Sequence, residues 1–207
     1  MSGLVVHVPH ASVLIPDDVR DQFTVAPAEV DAEARASADL HTDVLARAAW
    51  PGARIITAPV SRLVVDVERF EDDAQEEMAA VGRGVIYTHD HRGRRIRRAP
   101  DAACRSDLLA RYYHPHWTCL RAAAKGAVLV DLHSYPAEPW PIEPQATGAR
   151  PEIDLGTAPG LTPTDWLEAL TDHFQGAGYE VAHDTPYAGV IDAGARAAVM
   201  IEIRRDV

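Results

Sequence analysis

The sequence predicts an α/β fold built on a largely parallel sheet, and three observations carry that expectation. Short, continuous apolar runs such as Leu4–Val8 and Ala127–Leu132 have the pattern of strands buried on both faces. These runs alternate with stretches of helical length and composition, the order of repeated βαβ units. Two runs also end abruptly in polar chemistry, at His7-Val8-Pro9-His10 and at Asp131-Leu132-His133-Ser134-Tyr135. In open α/β sheets, reactive groups lie beyond the carboxyl ends of such strands.

Along the chain, Leu4–Val8 reads as the first strand. Ala28–Ala49, rich in Ala, Glu and Asp, reads as one helix stopped by Pro51-Gly52. Arg54–Ala58 and Arg62–Val67 are strand candidates separated by Pro59, and Gly84–Thr88 is a short strand. Pro100 to about Lys125 reads as a long helix interrupted at Pro115. Ala127–Leu132 is the central strand. Pro136–Pro151 is Pro-rich and polar, a loop placed to wall a pocket beside His133. Thr164–Gly176 is a helix with a Gly stop, and Tyr179–His183 and Ala197–Ile203 complete the strands. No repeat or low-complexity linker divides residues 1–207, so the expected organisation is a single domain.

The 207 residues are enough for one α/β unit with a sizeable core, because a chain of this size buries roughly 70% of its extended surface. No run approaches the ~20 apolar residues that span a bilayer, and no basic-then-apolar leader opens the chain. A cytoplasmic location is the default expectation. Cys104 and Cys119 fall in one helical region and are expected to be reduced. The net charge of -11 argues against broad nucleic-acid or anionic-membrane binding. It leaves room for a small anionic substrate held by local arginines, and for a homo-oligomer.

His10 and His133 are the strongest metal-ligand candidates, since neutral imidazole suits zinc and each follows a strand. A catalytic zinc takes three protein ligands and keeps one position open. Asp39-Leu40-His41-Thr42-Asp43 supplies the third: i,i+4 spacing would put Asp39 and Asp43 on one helix face, with Asp43 preferred and a solvated acidic face as the alternative. In Ser61-Arg62-Leu63-Val64-Val65-Asp66-Val67-Glu68-Arg69, arginines among Leu and Val must meet anions. Either Asp66 and Glu68 pair with them, or Arg62 and Arg69 face a pocket and clamp carboxylates. Glu202, inside Val199-Met200-Ile201-Glu202-Ile203-Arg204-Arg205, must be neutral, paired or at a working site. Beside zinc it would take a proton from water and pass it to a leaving amine.

Other segments read more blandly. His89-Asp90-His91 and His114-Pro115-His116 lack a nearby third ligand. The arginine-rich run Arg92–Arg98 reads as a solvated loop, with a lid for an acidic substrate second and nucleic-acid binding a distant third. Gly82-Arg83-Gly84 lacks the Lys-Ser/Thr of a phosphate loop. A Gly-x-Ser-x-Gly elbow is missing, which argues against a serine hydrolase. Asp154-Leu155-Gly156-Thr157 is either pocket lining or a turn.

His10-Ala11-Ser12, Thr42-Asp43, Ser-Arg-Leu-Val-Val-Asp-x-x-Arg at 61–69, Gly84-Val85-Ile86-Tyr87, Asp131-Leu132-His133-Ser134 and Ile201-Glu202-Ile203 together resemble the N-formylglutamate amidohydrolase family. The similarity runs from about Val5 to the C-terminus. It implies a three-layer α/β/α sandwich around a mixed, mostly parallel sheet, as in zinc carboxypeptidases. By resemblance, His133–Tyr135 looks like the last zinc-ligand segment of those enzymes, Glu202 like their catalytic glutamate, and Arg69 like the arginine holding a substrate carboxylate. Three departures stand out. Glu68 occupies a position commonly Asn, Leu132 one often Cys, and Val13 follows His10 where the carboxypeptidase His-x-x-Glu pair would place its acid.

The resemblance implies a zinc-dependent hydrolase, with one Zn2+ expected, acting on an N-acylated acidic amino acid, N-formyl-L-glutamate first, within histidine degradation. Zinc on His10, His133 and Asp43 or Asp39 would lower the pKa of its water towards ~7. Arg62 would help stabilise the oxyanion, while Arg69 with Arg204 or Arg205 would hold carboxylates, and Ser134 and Tyr135 would contact substrate. The alternatives are a carboxypeptidase-like or other N-acyl amino-acid hydrolase, motivated by Glu68, and a non-catalytic metal-binding relative.

Overall fold

A computed structural model describes residues 3–143 and 150–207. Residues 144–149 of the expected Pro136–Pro151 loop lie outside the described residues. Six strands form one sheet: β1 (Leu4–Val8), β2 (Arg54–Thr57), β3 (Val128–Tyr135), β4 (Ile153–Gly156), β5 (Val181–His183) and β6 (Ala197–Arg204), in spatial order β2-β1-β3-β6-β4-β5. Every neighbouring pair is parallel except β4 with β6, which is antiparallel. The sheet is therefore mixed and mostly parallel, as expected.

Helices cover both faces. Besides the short α1 (Asp17–Arg20), they are α2 (Pro27–Ser37), α3 (Thr42–Ala49), α4 (Ala102–Leu108), α5 (His114–Ala124) and α6 (Thr164–Gly176). Because strand side chains alternate with period two, Val6, Val8, Val130, Leu132, Val199 and Ile201 pack on one face, with Ala46 of α3 and Leu167, Leu170 and Phe174 of α6. Val5, Leu129 and Ala198 face the other way, against Leu120 and Ala124 of α5. No described helix is long and apolar enough to cross a membrane.

Five expected elements form differently. The single helix over 28–49 breaks after Ser37 into α2 and α3, with His41 in a left-handed conformation at φ 69°. The break is held by Asp39 N–H donating to the His10 carbonyl (2.9 Å) and by Thr42 Oγ1 donating to the Asp39 carbonyl (2.7 Å). Neither 62–67 nor 84–88 is a strand. The run at 61–69 forms turns whose Leu63, Val64 and Val65 join a separate core with Val85, Ile86 and Tyr87. Its backbone is satisfied without a sheet, because the buried Arg97 donates to the carbonyls of Leu63 (2.7 Å) and Val64 (3.2 Å). Arg97 is thus an internal brace, not part of a solvated loop. Around 154–157 the chain is strand β4, not a turn, and a π-helical turn at Leu109–Tyr113 precedes α5, where Pro115 occupies the first turn.

Candidate active site

On the face that carries Val5, Leu129 and Ala198, alternation places His7 of β1, Asp131 and His133 of β3 and Glu202 of β6 on the same side of the sheet. The register aligns His7 with Asp131 and His133 with Glu202. Each strand is apolar where it enters the core and polar at its carboxyl end. His10 follows β1 just past Pro9, and the α2–α3 break delivers Asp39 to it.

His10, Asp39 and His133 are all buried, and one nitrogen or oxygen from each lies within 4.8 Å of the others. Asp39 Oδ2 stands 3.3 Å from His133 Nδ1 and 3.6 Å from His10 Nδ1. Among the described residues His10 Nδ1 has no hydrogen-bond partner despite its burial. The opposite nitrogens are tied to carboxylates, His10 Nε2 to Asp66 (2.8 Å) and His133 Nε2 to Asp131 (3.1 Å). That is the arrangement in which outer carboxylates orient metal-binding imidazoles. Two imidazoles and a carboxylate are also a donor set suited to zinc, so the residues present fit a divalent cation.

Burial alone would raise the carboxyls of Asp39 and Asp131. Bonding and charge from His10 and His133, and from His133 and His7, hold them below the ordinary carboxylate range. Asp66, completely buried, is likewise held well below the ordinary carboxylate range by Arg62 and His10. It accepts from Arg62 Nη2 (2.8 Å), Arg62 Nε (3.0 Å) and Tyr87 Oη (2.6 Å). The turn segment bearing it is pinned by Trp117 Nε1 donating to the Val67 carbonyl and Tyr113 Oη to that of Arg69. Glu202 is 7% exposed and its Oε2 has no hydrogen-bond partner among the described residues. Burial pushes its carboxyl up to about 8.

The other expected site residues sort by how their donors are used. Asp43 lies half-buried in the first turn of α3, outside the His10–Asp39–His133 group, so Asp39 replaces it as the acidic member. The correction follows from the helix break: Asp39 and Asp43 do not share a continuous helix. Arg69 keeps Nε free of hydrogen bonds while its guanidinium lies near Asp66 and Glu76. Arg205 spends its donors on Asp39, Ser134 and the Ala36 carbonyl, which positions Asp39 and occupies Ser134 Oγ. Arg204 donates to Asp206 and the Arg150 carbonyl, and the buried Tyr135 hydroxyl donates to the Pro151 carbonyl. Those two are committed to structure.

His116, set aside in the sequence, touches the site: its Nε2 lies 2.8 Å from His7 Nε2. His7 and Glu68 also join the centre, Glu68 Oε1 at 3.3 Å from His133 Nε2. His7 shares its side of the sheet with Asp131 and His133, a signal present in the strand alternation. By contrast, His89 bonds Thr88, His91 bonds Glu33 and His114 bonds Glu71.

Fold and centre together define an α/β protein whose imidazole–carboxylate site sits at the carboxyl edge of its parallel strands. The fold occurs in other proteins of known structure. The chain belongs to the N-formylglutamate amidohydrolase family, whose model matches residues 2–207, and membership makes it an amidohydrolase. The structure is similar to the N-formylglutamate amidohydrolase from Ralstonia eutropha, at 26% identity and a TM-score of 0.80 over 98% of this chain and 82% of that one. A gene product from Agrobacterium tumefaciens shares the fold at 20% identity and a TM-score of 0.72, covering 99% of this chain and 81% of the other. No curated protein sequence matches the chain.

Proposed function

We propose that the protein hydrolyses the amide bond of an N-acyl acidic amino acid, N-formyl-L-glutamate first, with a divalent cation, zinc first, on His10, Asp39 and His133. The observation that carries this reading is the orphaned His10 Nδ1, buried and 3.6 Å from the Asp39 oxygen that also meets His133 Nδ1. A cation bound there supplies Lewis acidity, lowering the pKa of a water and polarising an acyl carbonyl.

The chain's own groups do the rest. Glu202, unpartnered and pushed up by burial, accepts a proton from the attacking water and delivers it to the departing nitrogen. Arg69, whose side chain is 28% exposed and whose Nε lies 3.6 Å from Asp66 without a hydrogen bond to it, holds a substrate carboxylate. Arg62, anchored through Nε and Nη2 to Asp66, keeps a fixed positive charge near the developing oxyanion. Arg205 holds Asp39 in place through a 3.0 Å bond. The products are formate and L-glutamate, placing the reaction in histidine degradation and in the cytoplasm.

The test is a deformylase assay on the purified protein before and after chelation, with metal analysis. Activity is expected to vanish with the metal and return on adding Zn2+. Full activity in the stripped protein, or in His133→Ala, would end the proposal. A second reading rests on Glu68, whose carboxylate faces the centre where it disfavours one more anion. It predicts preference for other N-acyl amino acids or peptides, and comparing formyl, acetyl and peptide substrates separates the two.

A further inference from the structure

Behind the first donor group lies a second that shares no residue with it. His7 Nδ1 stands 2.8 Å from Asp131 Oδ1 and 3.5 Å from Glu68 Oε1. One ligand atom from each of the three residues lies within 4.8 Å of the others. His133 stands between the groups, its Nε2 at 3.1 Å from Asp131 and 3.3 Å from Glu68.

The donors do not suffice for these acids. The Glu68 side chain is 18% exposed, yet among the described residues its only ion-pairing neighbours are His7, His10 and His133. Asp131 likewise meets only His7 and His133. The guanidinium groups of the site are engaged elsewhere, Arg62 and Arg69 with Asp66 and Arg205 with Asp39. Once Nδ1 of His10 and of His133 turns to a cation, each ring has one N–H left. That of His10 goes to Asp66 at 2.8 Å, and the single one of His133 lies between Asp131 at 3.1 Å and Glu68 at 3.3 Å. Beyond that shared proton, Glu68 is left with His7. His7 Nε2 lies 2.8 Å from His116 Nε2, so one proton serves that contact. When His7 supplies it, the electron pair on Nδ1 faces two carboxylates.

A divalent cation satisfies all three groups at once. One imidazole and two carboxylates suit zinc or manganese. Ligand atoms ~2.1 Å from a tetrahedral ion stand roughly 3.4 Å from each other, close to the spacings here. We propose that His7, Glu68 and Asp131 form a second divalent-cation site beside His10, Asp39 and His133, so that the loaded protein carries two ions per chain. The second site goes beyond the proposed hydrolysis and stands on its own donors.

Equilibrium dialysis of the stripped full-length protein against Zn2+, counted by elemental analysis, tests it. Wild type is expected to hold two zinc ions per chain, Glu68→Gln one, Asp39→Asn one and the double variant none. Far-UV circular dichroism checks that each variant is folded. Asp131→Asn is a second probe of the same site, and Glu68→Gln carries the test should that variant fail to fold. A wild-type value of one, lost in Asp39→Asn and kept in Glu68→Gln, overturns the second site and leaves the first. One ion kept in Asp39→Asn and lost in Glu68→Gln does the reverse. Two ions retained in Glu68→Gln also overturns the proposal, and none in wild type overturns both sites.

Discussion

Replacing Glu202 with Gln separates the reactivity of the site from its stability. In the metal-free protein, burial first, then the nearby Asp39 and Glu68 carboxylates, raise this group from 4.5 to about 8 against the opposing His133. A tenfold weakening of an acid corresponds to ~1.4 kcal/mol, so ionising Glu202 costs the fold on the order of 5 kcal/mol. The sign follows from linkage. A folded-state pKa above the unfolded value stabilises the fold below pH 4.5, and that stabilisation drains away as pH rises through about 8. Glutamine has the same shape and does not titrate, while burying its amide costs ~1–2 kcal/mol. At pH 9, metal-free Glu202→Gln is therefore expected to exceed wild type by about 3 kcal/mol, whereas near pH 4.5 it is equal or slightly weaker. Urea unfolding in chelator at both pH values reads the difference, and comparing the two proteins cancels every other titrating group. The metal-loaded variant is expected to lose 10²–10⁴-fold in kcat, as for removal of a general base. A stability difference that stays flat between the two pH values would refute the burial argument. Undiminished kcat would remove Glu202 from catalysis.

Further outcomes follow from the same geometry. Asp39→Asn is expected to lower zinc affinity and deformylase activity by at least a hundredfold while Asp43→Asn stays within about twofold of wild type, since Asp39, unlike Asp43, meets Nδ1 of both imidazoles; dialysis and activity assays read both, and equal losses would contradict the assignment. Asp66→Ala strands the partly buried Arg62 guanidinium and frees His10, so urea unfolding should register a loss of ~3 kcal/mol or more. A loss under ~1 kcal/mol would mean that Asp66 does not anchor the centre. Arg97→Met leaves the carbonyls of Leu63 and Val64 without their donor and should destabilise by ~2–3 kcal/mol, which the same measurement checks. Arg69→Ala is expected to raise KM for N-formyl-L-glutamate at least tenfold with kcat little changed. Equal loss in kcat would argue that Arg69 acts on the reacting atoms.

Strand and helix periodicity alone determined the parallel-sheet architecture, since β1, β3 and β6 are apolar runs that can be stable only when covered on both faces. The positions of His10, His133 and Glu202 were legible for the same reason: a strand that turns polar at its carboxyl end delivers those groups to one edge. Tertiary structure alone decided the acidic partner. Helical spacing makes Asp39 and Asp43 equivalent, and the bonds from Asp39 N–H to the His10 carbonyl and from Thr42 Oγ1 to the Asp39 carbonyl hold the helix broken before Asp43. It also decided that the apolar run at 61–69 is not a strand, because its backbone partner, Arg97, lies far along the chain. His116, unremarkable on its helix, reaches His7 only because α5 packs across β1. Period and polarity are local properties and can be read from neighbouring residues. The partner that satisfies a buried donor or acceptor is a property of the folded chain.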